Sequence, residues 1–520
     1  MRKHWKTVSL SLAAVLLTGS LAACSSNDNG GGNGSPSAST AASGTSPSSE
    51  SGTSSSIDEA IKDPYEITMA YPVFGAVSKD IEEVQESISK ITKEKINATV
   101  KLQPISIGAW GQQMNLMVSS GEKLDLHFTF GAQYTYQAAS GQFAELDGLL
   151  AKYGQGVVQE VGEEYLKSAT VNGKLYGVPT IHDFGGHSGF MMRKDLVEKY
   201  KIDVASIKTL DDLEAVFKII KENEPGMTPI GSGVGNFGET YLTYDKLDDR
   251  FGVLPNFDNG LKVVNWFETP EYAEQLDRMH RWFQAGYINK DAATTQMVEQ
   301  DMVKAGTAFG NFVKNKPGYM DEQPKFTGHE MVFATLLPEA YSTTSDVLTG
   351  MFTISQNTKN PERTMMFLNL LYTDVDIANL LMWGIEGKHY VKDGDTTIKF
   401  PDGIDASNVG YTNQTWLMGN AFITYTQPGV DPDVWKQMKE FNANLTKSKA
   451  LGFAFNSESV KNEITALNNV TQQYRKILET GTVDPKKKLP EFIAKLKSAG
   501  IDKVIAEKQK QLDAWAAANQ

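Results

Sequence analysis

Cysteine is almost absent: the 520 residues contain one, Cys24. A single thiol closes no disulfide within the chain, so the stability of the folded part has to come from packing. Histidine is scarce too, with seven in all. His182 and His187 stand five apart with Asp183 between them, a spacing that matches no standard zinc motif. Asp393-Gly394-Asp395 lacks the acidic series of a calcium loop and reads as a hairpin turn before Thr396-Thr397-Ile398. No metal or cofactor is expected. An excess of positive charge is also missing. The net charge of −13 argues against nucleic acid or an anionic surface as the main ligand. No internal repeat recurs at solenoid periods.

What is present is globular: 40% hydrophobic and 22% charged residues, in a chain too long for one core. The first 23 residues stand apart. Arg2, Lys3 and Lys6 make a positive start, Val8 to Ala23 is an apolar run of signal-peptide length, and Leu21-Ala22-Ala23-Cys24 closes it. This ending resembles the lipobox of bacterial lipoproteins. The resemblance implies acylation of Cys24 and an anchor at the extracytoplasmic face of the cell membrane, stable because two or more acyl chains hold it. Ser25 to Ser56 is a Ser/Gly/Ala/Thr/Pro tract that cannot bury enough apolar surface to offset chain entropy. Residues 24–62 therefore read as a lipidated cysteine and a disordered tether, spanning roughly 30 Å on average and about 100 Å when stretched.

From Tyr65 the pattern changes. Tyr65 to Tyr71 alternates as a strand up to Pro72, and Ser78 to Lys95 carries Ile81, Val84, Ile88 and Ile91 on one helical face. A strand over Ala98 to Gln103, a helix over Trp110 to Ser119 and a strand over Leu124 to Phe130 come next. Such alternation implies a mostly parallel sheet with covered faces, whose ligands sit beyond the carboxyl ends of strands. Asn172-Gly173 predicts a type I′ hairpin. Pro179 ends that ladder, Gly185-Gly186 loosen the chain beyond it, and Arg193 to Tyr200 is helical again. The stretch is either a long loop or a crossing between two lobes. Further on, Thr209-Leu210-Asp211-Asp212 opens a helix as a capping box. Residues 270–286 are helical, Thr307 to Asn311 is a short strand, and Val347 to Ile354 is a further strand. Asn360-Pro361 starts a helix that runs to Tyr372. From Asp431 the chain is mostly helical, ending with Ile501, Val504, Ile505, Leu512 and Trp515 on one face.

Four stretches carry a family resemblance. Gly141-Gln142-Phe143-Ala144-Glu145-Leu146-Asp147, Gly173-Lys174-Leu175-Tyr176-Gly177-Val178-Pro179, Ala305-Gly306-Thr307-Ala308-Phe309, and Ile354-Ser355 through Asn360-Pro361-Glu362 resemble, in order, motifs of the extracellular solute-binding proteins of carbohydrate ABC importers, family 1. Met382 to Tyr390 and Phe453 to Trp515 resemble the Gram-positive lipoproteins of the LplA type, with their C-terminal domain of unknown function. The resemblance implies an α/β fold: two-lobed, periplasmic-binding-protein-like (type II), with a cleft between the lobes and a helical C-terminal region. It implies hinge strands at Thr180, Ile181 and His182, and further crossings at Phe309-Gly310 and Gly350-Met351. Lobe one is then 65–181 with 311–352, and lobe two is 182–310 with 353–520. It also implies ABC permease subunits as partners and capture of a solute by hinge closure without a covalent step. A monomer is expected.

Sugar recognition needs flat apolar faces and planar polar groups. Candidates near strand ends or crossings are Tyr71, Phe74, Tyr134, Asp183, Trp266, Trp383, Glu386 and Trp416. Any one of them is alternatively an ordinary core or surface residue. Trp282 shares a helical face with Leu276 and Met279 and belongs to the core. The glycines around Trp383 and Glu386 predict an exposed loop. Asp183 and Glu386 are alternatively the carboxylate pair of a glycoside hydrolase. A sensor co-receptor of the same fold, or a binder of peptides or amino acids, remains open as well. Gly233-Val234-Gly235-Asn236-Phe237-Gly238 matches a dinucleotide fingerprint by letters only; Thr228-Pro229-Ile230 is a poor strand before it, so the run is read as a glycine-rich loop.

Overall fold

The computed structural model describes residues 57–519 apart from 236, 242, 258 and 428. The expected signal peptide, lipobox cysteine and most of the tether therefore lie outside the described residues. The body begins earlier than the tether boundary at 62 anticipates. Residues 57–60 form a helical turn, the Asn97 side chain donates to the Ile61 carbonyl at 2.9 Å, and Arg363 donates to the carbonyls of Ala60 and Asp63.

One sheet has the order Ala98–Ser106, Tyr65–Val73, Leu126–Phe130, Gly350–Ile354, Gly177–Pro179. The first three run parallel, and Gly350–Ile354 runs against both its neighbours. The helices Ile81–Ile96 and Ile107–Ser120 are the crossovers that parallel pairing requires. Tyr65–Val73 is buried almost throughout because both faces are covered. Pro72 lies inside the strand instead of ending it, paired with Ile105. A fully buried carboxylate, Asp125, fixes the entry to the third strand by accepting from the Thr68 amide at 2.8 Å and the Tyr65 hydroxyl at 2.6 Å.

The second sheet has the order Met331–Thr335, His187–Arg193, Ala308–Asn315, Thr228–Ile230. Pro229 is tolerated because its strand is the edge, where one missing N–H removes no central ladder bond. Trp282 is indeed core, packed edge-on to Phe217 on the helix Leu210–Asn223 that the Thr209/Asp212 capping box starts. The Asn172-Gly173 hairpin forms, with φ of 52° and 79°.

Strand pairing corrects the expected lobe boundaries. Phe309 and Gly310 are not a crossing: they lie mid-strand in Ala308–Asn315, which pairs with second-sheet strands on both sides. Met331–Thr335 pairs there too, so 311–335 goes with the second sheet. Gly350 and Met351 open a first-sheet strand and come after the crossing. The helices Pro361–Thr373 and Val375–Trp383 bury Met365, Leu368, Leu371, Ile377 and Leu381 in the first sheet's core, so 353–383 belongs with lobe one. The C-terminal helices Lys461–Glu479, Pro485–Ser498 and Ile501–Asn519 form a third core against 244–276, through Phe453, Leu467, Phe492 and Leu512 on Tyr244, Phe267 and Leu276.

Three segments pass between the sheets side by side. Gly186 bridges Tyr341, and Tyr341–Ser342 pairs with Thr446–Lys447. Asn442, itself buried, donates to the His182 carbonyl at 2.7 Å and accepts from the Phe184 amide at 3.0 Å. Gly185 is required by close approach and does not loosen the chain: a Cβ there would stand 2.5 Å from the Tyr341 carbonyl oxygen. Asn442→Ala leaves one buried N–H and one buried C=O unpaired, and we expect a loss of about 3 kcal/mol. Urea unfolding monitored by tryptophan fluorescence measures it; a loss below about 1 kcal/mol shows that the crossing does not depend on this amide.

Candidate functional site

At the carboxyl end of the first sheet, beside the crossings, two cavities of about 350 and 640 Å³ lie next to each other. They share Ala406, Val409, Thr412, Asn413 and Gln414 as a common wall, and so make one elongated groove. Its walls come from four places: the loop Phe74 to Lys79 after the first strand, His182 and Asp183 at the crossing, Lys316 to Phe326 from the second lobe, and the 383–438 region. Each cavity alone has the size of a ligand pocket, about 300–1,000 Å³. Together they suit a chain of rings better than a single ring.

The groove is rich in aromatic surface. Trp416 sits 5.7 Å from Phe74, 6.0 Å from Phe128 and 6.5 Å from Phe130, centroid to centroid. This cluster stands where the first and third strands end. Trp383 and Trp435 line the same space. Their indole N–H groups donate to the carbonyls of Tyr425 at 3.0 Å and Thr424 at 2.8 Å. With those donors committed, what both rings can offer a ligand is flat surface.

The polar part centres on Asp183. Its carboxylate pairs with the Lys316 ammonium, and His182 Nδ1 stands 3.6 Å away. Burial opposes ionisation here, but the neighbouring His182 and the Lys316 charge outweigh it and hold the carboxyl down at about 2. Glu322, on the opposite wall, is pushed above the usual carboxylate range by burial. His182 Nε2 is buried and has no hydrogen-bond partner among the described residues.

The sequence-derived candidates separate into two groups. Phe74, Asp183, Trp383 and Trp416 border the groove. Trp383 is not on an exposed loop: it ends the helix Val375–Trp383 and is 7% exposed. Tyr71 is buried just behind the wall, beside Asn413 and Tyr411, and burial raises its pKa to about 12. Tyr134 does not reach the groove. It is buried in the first core, stacked on Phe143, with its hydroxyl on the Ala169 carbonyl. Trp266 packs 4.1 Å from Tyr244 in the third core. Glu386 is exposed, pairs with Lys392 at 3.4 Å and borders neither cavity, so a carboxylate pair with Asp183 is not assembled. Trp435, Lys316 and Asn413 were missed, because the segments that hold them meet at the groove only through long-range packing that no local pattern marks.

A family model for the bacterial extracellular solute-binding proteins matches residues 76–378. The chain belongs to that family. It is therefore an extracytoplasmic protein that binds a solute. A second model, a domain of unknown function (DUF3502), matches 449–517, the third core. The chain is 32% identical, over 98% of both sequences, to a carbohydrate ABC transporter substrate-binding protein of Streptococcus pneumoniae. It is similar to the crystal structure of the N-glycan transport solute binding protein NgtS of that organism, with 31% identity, a TM-score of 0.78, and coverage of 88% of this chain and 100% of that one. Against the same protein in complex with Man5GlcNAc the TM-score is 0.67 at the same coverage and identity. Lipoprotein LipO of Bacillus subtilis is 25% identical over 59% of this chain and 64% of its own.

The Asp183 carboxyl has a folded pKa of about 2 against an ordinary 3.8, so its contribution to stability is fully present above pH 5 and disappears as pH falls through that interval. Asp183→Asn should therefore cost about 2 kcal/mol at pH 7, with the gap from the parent chain narrowing toward pH 3. Urea midpoints at pH 7, 5 and 3 check this; a gap independent of pH removes the ion pair as its cause.

Proposed function

We propose that the chain is a lipid-anchored receptor of an ABC importer that captures an oligosaccharide in the groove. Support comes first from the groove itself, an elongated space with three indole faces, a second-lobe lysine and a crossing aspartate around it. Stacking on apolar sugar faces and hydrogen bonds from planar polar groups are what such walls supply. A relative aligned along 98% of both chains is a carbohydrate ABC transporter substrate-binding protein, and NgtS has been crystallised with Man5GlcNAc. Groove walls from both lobes let a ligand favour the closed arrangement, because contacts to Lys316 and to Trp416 are made together only when the lobes meet around it. Permease subunits then receive the loaded form. No covalent step is part of this reading: Asp183 is engaged by Lys316, and Glu386 is elsewhere.

The body from Asp58 onward, screened by thermal shift against oligosaccharides, peptides and amino acids, tests the proposal. A ligand at 100 times its Kd adds about 2.7 kcal/mol. An oligosaccharide that raises the melting temperature and is recovered intact supports the receptor reading; a cleaved sugar means an enzyme; a shift by peptides alone means the ligand class is wrong. Trp416→Ala should weaken the best sugar at least tenfold, about 1.4 kcal/mol, with the unliganded melting temperature lowered by a few degrees at most. Unchanged affinity moves the binding site away from the groove.

The anchor is proposed on Cys24 and the apolar run before it. Cys24→Ser should shift the protein from the membrane pellet to the medium and abolish incorporation of labelled palmitate. Retention in the pellet without label points to an uncleaved signal segment as the anchor.

A further inference from the structure

Lys246 borders two cavities that share no described lining residue with the groove. The first, of about 180 Å³, lies between Lys314 at the end of the strand Ala308–Asn315, Thr343 and Asp346 of the crossing, and Arg250 and Phe257. The second, of about 280 Å³, is walled by Phe130 at the end of the third first-sheet strand, Ser345 and Leu348 after the crossing, and Phe453 and Phe455 of the third core. Lys246 thus stands where both sheets, one crossing and the third core come together.

The chain holds this lysine on a firmly set loop. Asp245, buried, accepts from the Leu247 amide at 2.9 Å and from the Ser448 hydroxyl at 2.6 Å. Leu247, Asp248 and Arg250 follow with φ of 43°, 83° and 69°. Such backbone is costly for residues other than glycine and concentrates at ligand clamps and similar sites.

What the first cavity lacks is a negative charge for Lys246. Three cationic side chains, Lys246, Arg250 and Lys314, face two carboxylates there, Glu339 and Asp346. Both carboxylates are engaged. Asp346 pairs with Lys314 at 3.4 Å and accepts from the Thr343 amide at 3.1 Å and hydroxyl at 2.6 Å, while Glu339 accepts from the Tyr341 hydroxyl at 2.7 Å. The Lys246 ammonium makes no hydrogen bond or ion pair among the described residues, and the residue is half-buried, open to both cavities. Burial, with the charges of Arg250 and Lys314, pushes its pKa below the ordinary lysine value despite Asp346 and Asp248. A charge taken out of water without a partner is unfavourable, and an anion beside it removes the penalty.

We infer that the cavity between Lys246, Arg250 and Lys314 binds a free tetrahedral oxyanion, phosphate or sulfate, at a site distinct from the groove. An ammonium carries three N–H donors and a guanidinium five in a planar fork, a combination suited to holding an oxyanion from two sides. A neutral sugar leaves the Lys246 charge uncompensated, and a cation meets three like charges. With about 30 Å³ per water in the liquid, the space takes about six waters, enough for one such ion and part of its hydration shell. Seated there, the ion joins the second sheet at Lys314 to the 244–250 loop of the third core, next to the crossing at Thr343. Its presence therefore strengthens that junction.

Melting of the full chain in nonionic detergent tests this as sodium phosphate or sulfate replaces sodium chloride at constant ionic strength. The parent should show a saturable rise of about 2 °C or more at ten times the half-saturating concentration. Lys246→Met should abolish the rise and Lys246→Arg should retain it. In chloride alone Lys246→Met should melt no lower than the parent, because it removes a charge that had no partner. A fall of more than a few degrees shows that the ammonium was already satisfied and overturns the site. So does a rise that Lys246→Met retains, or one that chloride matches, since either is general screening. If Lys246→Met does not fold, Lys246→Gln takes its place, and phosphorus NMR of inorganic phosphate should show line broadening by the parent and none by the variant. No broadening by the parent overturns the proposal. Glucuronate raising the melting temperature where phosphate and sulfate do not makes the cavity a subsite for a charged sugar and overturns the free-ion assignment.

Discussion

Everything about the groove depends on how three chain segments pass between two sheets without leaving backbone groups unpaired. A segment that has left one sheet and not yet entered the other has no ladder to join, and its buried N–H and C=O groups must find partners among the other crossings. Here they do so by the bridge from Gly186 to Tyr341, the short pairing of Tyr341–Ser342 with Thr446–Lys447, and the Asn442 amide, which substitutes for a strand neighbour at His182 and Phe184. The close approach at Gly185 arises from the same requirement. Because the segments run together, the space between the sheets opens beside them, next to where the parallel strands end. The location of the groove is thus a consequence of backbone pairing, before any side chain is chosen.

Side chains then decide what the space accepts. Trp383 and Trp435 are held by hydrogen bonds to adjacent carbonyls, 425 and 424, so one short stretch of backbone orients two rings. Trp416 is fixed differently, by packing on Phe74, Phe128 and Phe130 at the strand ends. Rings set by tertiary contacts lose little freedom on contact with a ligand. The Asp183–Lys316 pair ties the crossing to the second lobe at the mouth of the same space.

Much of the fold was legible wherever the information is local. The Thr209/Asp212 capping box, the Asn172-Gly173 turn and the Pro361 helix start are read correctly because each depends on residues within one turn of each other, and the amphipathic helix expected over 78–95 is found at 81–96. Assigning strands to sheets is another matter. Ala308–Asn315 is buried along most of its length, so no alternation marks its faces, and nothing in its sequence says which sheet it joins. The misplaced crossing at Phe309-Gly310, which the family resemblance implied, therefore met no local pattern that contradicts it. Among the site candidates, Phe74 follows a predicted strand and borders the groove, whereas Tyr134, also just past a predicted strand, and Trp266 pack into cores. Aromatic residues do not announce which side of a sheet end they face.

The C-terminal helices complete the logic of the crossings. After Thr446–Lys447 the chain does not return to either sheet but enters the third core, where Lys508, fully buried, donates to the carbonyls of Leu247 at 3.0 Å and Gly252 at 3.2 Å and to Asp249 at 2.6 Å. Those three acceptors use all the donors of an ammonium, the condition under which burying one is tolerable. The loop they hold contains Leu247, Asp248 and Arg250 at φ of 43°, 83° and 69°, a conformation costly for residues other than glycine and stable only when the surroundings impose it. The same core is stitched to the second crossing: Thr344 Oγ1 donates to the Ala450 carbonyl at 3.1 Å and accepts from the Gly452 amide at 2.9 Å, and Ser448 donates to Asp245 at 2.6 Å. A third core fastened to the 244–276 region of the second lobe and to the end of the last crossing shortens the stretch of chain left free to bend. The last crossing is thereby held at both ends, by the sheets it leaves and by the third core it enters.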